Sequence, residues 1–191
     1  MDSFWWLIEE CRRRGRTPDE RLAWLREALS RRSPAEVVRF QARLDEVTHE
    51  AFTWDLWAAA DRIFGGWCSD DGFCYFGLWM VGLGRQAFTH AVADLDTLAA
   101  TPEVQRLAGR PRQAWNDDWP EWESLDYVAM EAYGISAAVD DDESGEAFRT
   151  AVDAEQGDEG DNSGPSGHRW DARREDEAAR RLPRLSVMFP L

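Results

Sequence analysis

The sequence predicts an all-α fold on three observations. Apolar residues recur at helical spacing through residues 1–135, capping motifs open the segments, and two-residue alternation never persists. The expectation is a single compact helical domain over 1–139 with a central buried helix, followed by a largely disordered acidic tail over 140–191.

Phe4, Leu7, Ile8 and Cys11 form a first short helix that gives out near Gly15. Thr17-Pro18-Asp19-Glu20 opens the second, with a capping hydroxyl, a proline at the first helical position and a glutamate three residues past the cap. Leu22, Leu25, Ala28 and Leu29 are its buried stripe. Ser33-Pro34-Ala35-Glu36 repeats the cap, and Val37, Phe40, Leu44, Val47 and Ala51 carry a third helix forward. Neither proline nor glycine follows until Gly65, which leaves one long helix or two joined by a bend near Thr53.

Gly65-Gly66 ends that stretch, and Ser69 or Asp70 is placed to cap the next helix. From Phe73 to about Ala93 apolar residues occupy nearly every face, the pattern of a central buried helix. Further helices are expected from Thr101-Pro102 and over Glu121–Tyr133, ended by Gly134. From about residue 140 a Gly/Asp/Glu/Ser stretch runs to Ser166, too poor in apolar area to offset its ordering entropy. Charges at helical spacing give a short helix near 173–182, and the apolar residues from Leu185 to Leu191 would dock back or grip a partner.

A net charge of −15 and a pI near 4.6 set the field of the molecule against phosphate backbones and anionic lipid, so neither nucleic acid nor membrane is expected as a partner. Three cysteines without CxxC spacing indicate neither a disulfide framework nor a zinc site. With no basic leader and no apolar run near the roughly 20 residues of a membrane helix, a cytoplasmic location is expected. His49, His90 and His168 lie far apart, and Asp55, Asp61, Asp70 and Asp71 match no calcium loop, so no metal site and no cofactor is expected. Nucleotide loops and a nucleophile elbow are missing as motifs.

The unusual feature is eleven tryptophans, with Trp54, Trp57, Trp67 and Trp79 flanking the Ser69-Asp70-Asp71 turn in sequence. Ring faces attract cations and carboxylates fix orientation, so Trp54, Asp55, Trp57, Ser69, Asp70, Asp71 and Phe73 are the candidate ligand-binding residues. The competing reading is structural: the rings form core, and Asp70 and Asp71 sit in a helix-starting turn.

Phe4-Trp5-Trp6-Leu7-Ile8-Glu9, Thr53-Trp54-Asp55-Leu56-Trp57-Ala58-Ala59 and Gly65-Gly66-Trp67-Cys68-Ser69-Asp70-Asp71-Gly72-Phe73 together resemble a bacterial, mainly actinobacterial family known as domain of unknown function 4240. Tyr75-Phe76, Trp79, Gly84-Arg85, Phe88 and Leu125-Asp126-Tyr127-Val128-Ala129 extend the resemblance, which covers roughly the first 135 residues and implies no particular activity.

The leading expectation is a helical binding or regulatory module whose Trp-rich, Asp-containing surface takes a small molecule or a protein, with a homodimer compatible with exposed tryptophan. Two alternatives stand beside it. One is an enzyme with an unfamiliar Asp-based site in an aromatic pocket; the other is an immunity or antitoxin-like protein that offers negative charge to a basic toxin.

Overall fold

The computed structural model describes residues 3–138, 141–157 and 164–191, and every regular element among them is helical. In chain order the α-helices are α1 (Ser3–Arg14), α2 (Pro18–Ser30), α3 (Pro34–Glu50), α4 (Trp54–Ile63), α5 (Asp70–Gly82), α6 (Arg85–Ala93), α7 (Pro102–Leu107), α8 (Ser124–Ala137), α9 (Asp141–Gln156), α10 (Glu175–Arg181) and α11 (Pro183–Met188). Short 3-10 turns lie at Leu95–Ala100, Arg112–Ala114 and Asn116–Asp118, and an isolated parallel bridge joins Thr53 to Ser166.

Two compact units interleave along the chain: Met1–His49 with Trp122–Asn162, and Glu50–Glu121 with Ser163–Leu191. In the first unit α2 packs on α1 and α8, and α8 on α9. Leu7, Ile8 and Cys11 of α1, Leu25 and Leu29 of α2, Leu44 and Val47 of α3, and Leu125, Val128 and Ala132 of α8 are all buried. The cap expected at Thr17 forms: its hydroxyl accepts from Glu20 N at 3.2 Å, while the Glu20 carboxylate accepts from Arg16 N at 2.7 Å and Thr17 N at 3.4 Å. At Ser33 the Glu36 carboxylate takes both the backbone N–H, at 3.0 Å, and the hydroxyl, at 2.7 Å.

α8 runs past Gly134 to Ala137 and ends on Ala138 in the left-handed region. Gly134 lies inside the helix, where an added Cβ would meet the Ser144 Cβ of α9 at 3.4 Å, an ordinary van der Waals contact. The existence of α9 overturns the expectation of disorder for 141–157. Phe148 and Val152, one turn apart, are buried, with Phe148 against Tyr133 at 5.3 Å, and that burial offsets the ordering of an otherwise acidic helix. Of the stretch expected to be disordered, 140 and 158–163 lie outside the described residues.

In the second unit the bend near Thr53 is a helix start: the Thr53 hydroxyl accepts from Leu56 N at 3.0 Å, so α3 and α4 are separate helices. The apolar run from Phe73 to Ala93 is also two helices. Gly84 has φ +92°, a backbone state that L side chains rarely adopt, and α6 restarts there. Buried Leu56, Ala60, Ile63, Phe76, Met80, Val81, Phe88, Leu98, Val104 and Leu107 make its core, together with Ala172, Ala178, Leu182 and Leu185 from the returning chain. The segment 164–191, expected as part of a disordered tail, is thus ordered and helical over α10 and α11. The short helix expected near 173–182 is α10, and Leu185 and Phe189 dock back while Val187 and Leu191 are exposed.

Candidate ligand-binding cleft

What holds 164–191 in place also builds the site. Arg62 lies on α4 after Ala58 and Ala59, small side chains at i−4 and i−3, and is fully buried. Its guanidinium donates to Ala172 O at 2.9 Å, Ser186 O at 3.2 Å and both oxygens of Glu175, at 2.7 and 3.0 Å. This hydrogen bonding is the main reason that the Glu175 carboxyl sits below the usual glutamate range. Asp96, also buried, works in the opposite sense. It accepts from Arg184 N at 3.0 Å, Leu185 N at 2.9 Å and Arg184 Nε at 2.8 Å, satisfying donors at the start of α11. A buried cation and a buried anion of the 50–121 body are therefore both answered by the same returning segment.

At its N-terminal end the segment pairs with the entry to α4: Ser166 N donates to Phe52 O at 3.0 Å and Trp54 N to Ser166 O at 2.9 Å. From there Arg169 lies 4.9 Å above the Trp54 ring, and the Trp170 indole N–H donates to Asp55 Oδ1 at 2.7 Å. Arg181, at the end of α10, donates to the same Asp55 oxygen at 3.1 Å and lies 5.2 Å above the Trp170 ring.

Asp55, Ser166, Trp170 and Arg181 help to wall a cleft of about 440 Å³, within the range of small-molecule sites. One side is Glu50, Ala51, Thr53, Asp55 and Leu56, with Met80 of α5 and the Val92–Leu95 corner after α6. The other is Ser166, Gly167, Trp170, Arg181 and Leu182. The charged residues of this lining are Glu50, Asp55, Asp94 and Arg181, three acidic and one basic, and the Asp94 carboxylate accepts from Asp96 N at 3.1 Å.

The candidate residues from the sequence part company here. Asp55 lines the cleft; the other six do not. Trp54, Trp57 and Phe73 form a continuous stack, with centroids 5.3 Å apart between the two tryptophans and 4.5 Å between Trp57 and Phe73, and Phe52 adds to it at 5.5 Å. The Trp57 indole N–H donates to Cys68 O at 3.3 Å. Ser69 caps α5, its hydroxyl accepting from Gly72 N at 3.0 Å, and Asp70 and Asp71 are exposed in that first turn, where carboxylates complement the helix dipole.

Asp61 turns inward in that loop and accepts from Cys68 N at 2.7 Å; burial pushes its carboxyl above the usual aspartate range. Burial, reinforced by Asp61, pushes the Cys68 thiol up to about 12, which keeps it protonated and poorly nucleophilic at neutral pH. Among the described residues no group of three or more His, Cys, Asp and Glu side chains is arranged to hold a metal ion, and no helix is long and apolar enough to cross a membrane.

Arg62, Asp96, Trp170 and Arg181 were not singled out by the sequence reading. For Arg62 a signal existed: a lone arginine among Ala58, Ala59, Ile63 and Phe64 on an apolar helix face. For the other three, which join positions far apart in sequence, no local pattern marks the role.

Comparison with known proteins places the geometry in a family without assigning it a task. A family model described as "Protein of unknown function (DUF4240)" matches residues 1–134, which includes the α4 and α6 walls of the cleft and excludes 164–191. No curated protein and no solved structure matches.

Proposed function

The chain belongs to the DUF4240 family of unknown function, and from that premise we propose that it is a helical binding module whose ligand site is the cleft beside Asp55. The observation that carries this reading is the convergence of an aromatic face, charged groups and backbone on one concave volume. Its ligand is a small molecule, the size of occupant that a cleft of about 440 Å³ admits. Asp70, Asp71 and the protonated Cys68 do not line the cleft, so they supply no acid–base or nucleophilic centre there.

The test is nuclear magnetic resonance on the full chain. The Trp170 indole N–H signal, assigned with Trp170→Phe, is followed against a panel of cationic, anionic, zwitterionic and neutral metabolites. At least one class is expected to move the Trp170 signal saturably, and Ala93→Trp, which fills the cleft from the α6 corner, is expected to abolish the effect. A panel that leaves Trp170 untouched defeats the proposal.

A further inference from the structure

We propose that the Trp170–Asp55 corner of the cleft is a receptor for a guanidinium or primary-ammonium ligand, and that Arg181 is its exchangeable in-chain occupant. The proposal rests on the reading of the cleft as a ligand site and gives that site its ligand class.

The geometry is that of a cation seat. A single carboxylate oxygen, Asp55 Oδ1, takes both the Trp170 indole N–H at 2.7 Å and the Arg181 guanidinium at 3.1 Å. The first bond fixes the ring; the second places a cation beside it, 5.2 Å from the ring centroid and within the ~6 Å reach of cation–π attraction. Glu177 completes the arrangement, accepting from Arg181 Nε at 3.1 Å. The same chemistry recurs nearby, where Arg169 covers Trp54 at 4.9 Å. The returning segment thus answers two aromatic faces of the 50–121 and 164–191 unit with its own arginines.

Arg181 is held loosely enough to leave. Its side chain is 41% exposed and that of Asp55 51%, and exposed ion pairs of this kind contribute little. The anchors of the segment are elsewhere, at Arg62 and Asp96, both buried, so Arg181 can swing out while α10 and α11 stay docked. An incoming cation gains the same ring face and the same oxygen. It also enters a cleft whose lining carries more acidic than basic residues, Glu50, Asp55 and Asp94 against Arg181. An anion would meet the reverse, and would have to displace the Asp55 contacts to reach Arg181.

The probe is methylguanidinium at millimolar concentration, added to the full chain and followed at the Trp170 indole signal. Arg181→Ala vacates the seat and removes a like charge beside it, so the expected result is binding at least tenfold tighter than to the unaltered chain. Arg181→Met, which keeps the aliphatic stem, should behave the same, and adding Asp55→Asn to either should remove the gain. Methyl phosphate should not move the signal in any variant. The proposal is overturned if both Arg181 variants bind methylguanidinium no better than the unaltered chain, if Asp55→Asn leaves the gain intact, or if methyl phosphate binds in its place. Should the metabolite panel yield only anionic or neutral cleft ligands, the cation seat fails and the cleft reading stands. Should methylguanidinium seat in Arg181→Ala while Ala93→Trp disturbs no ligand of the panel, the cleft reading fails and the seat stands.

Discussion

The start of α2 in one unit and the start of α11 in the other answer the same need by opposite means. Each helix begins with backbone N–H groups that lack intrahelical acceptors. At α2 the acceptors are Thr17 and Glu20, within a turn of the donors they serve. At α11 the acceptor is Asp96, 88 and 89 residues away in sequence from Arg184 and Leu185. Arg62 extends the contrast, since its partners lie 110 to 124 residues downstream. A local cap tolerates loss because water can replace it. A remote, buried one ties two stretches of chain together, and its loss is felt at both.

Arg62→Leu is the largest expected break in that comparison. It strands Ala172 O and Ser186 O in a buried setting and should cost about 3 kcal/mol, at the scale of leaving buried polar groups unsatisfied. Thermal unfolding measures the loss, and hydrogen exchange should place it in 164–191 and α4; a loss under ~1 kcal/mol would mean the segment is held by its apolar residues alone. Asp96→Asn keeps the size but offers one acceptor oxygen where two served three donors, and should cost about 2 kcal/mol, with faster exchange at the Leu185 amide. Thr17→Ala should cost about 1 kcal/mol, in the range of N-cap removals, with exchange raised at the start of α2 and unchanged at Leu185. If Thr17→Ala proved more damaging than Asp96→Asn, the contrast between local and remote capping would be wrong.

The smallest effect sharpens the comparison through pH. Glu175 has a depressed folded-state pKa because it accepts from Arg62, so its contribution is present above the unfolded glutamate value of about 4.3 and is lost as pH falls through the lower folded value. Exchange at the Leu191 amide, which donates to Glu175 at 3.4 Å, should therefore rise on the acid side of that value. Glu175→Gln should flatten this limb. An unchanged acid limb in the variant would assign it to other carboxylates, such as Glu20 and Glu36, whose pKa values are also lowered by hydrogen bonds within their caps.

Most of the helical pattern was legible because its causes are local. Thr17, Ser33, Ser69 and Thr101 mark true helix starts, the last with its hydroxyl accepting from Val104 N at 3.3 Å. Two errors, the continuous helix through Gly84 and the helix end at Gly134, came from reading glycine by its neighbours. What decides such positions is backbone state: Gly84 sits at φ +92°, whereas α8 runs through Gly134 and ends on left-handed Ala138. Of the candidate site, Asp55 alone reaches the cleft. Trp54, Trp57 and Phe73, read from the sequence as ligand-binding, stack on one another outside the lining of the cleft.

The sequence by itself determined the all-α class, the positions of most helix starts and the family, since each depends on residues within a turn or on a contiguous motif. Only the tertiary structure decided that 164–191 is a wall and not a tail. This segment follows an acidic, Gly-rich stretch and is itself dense in charge, so composition reads it as part of a disordered tail, because composition counts apolar area within the segment and cannot count a partner elsewhere. Arg62 and Asp96 are that partner: two buried charges whose hydrogen bonds become available only when the chain returns, and whose need for them makes the return favourable.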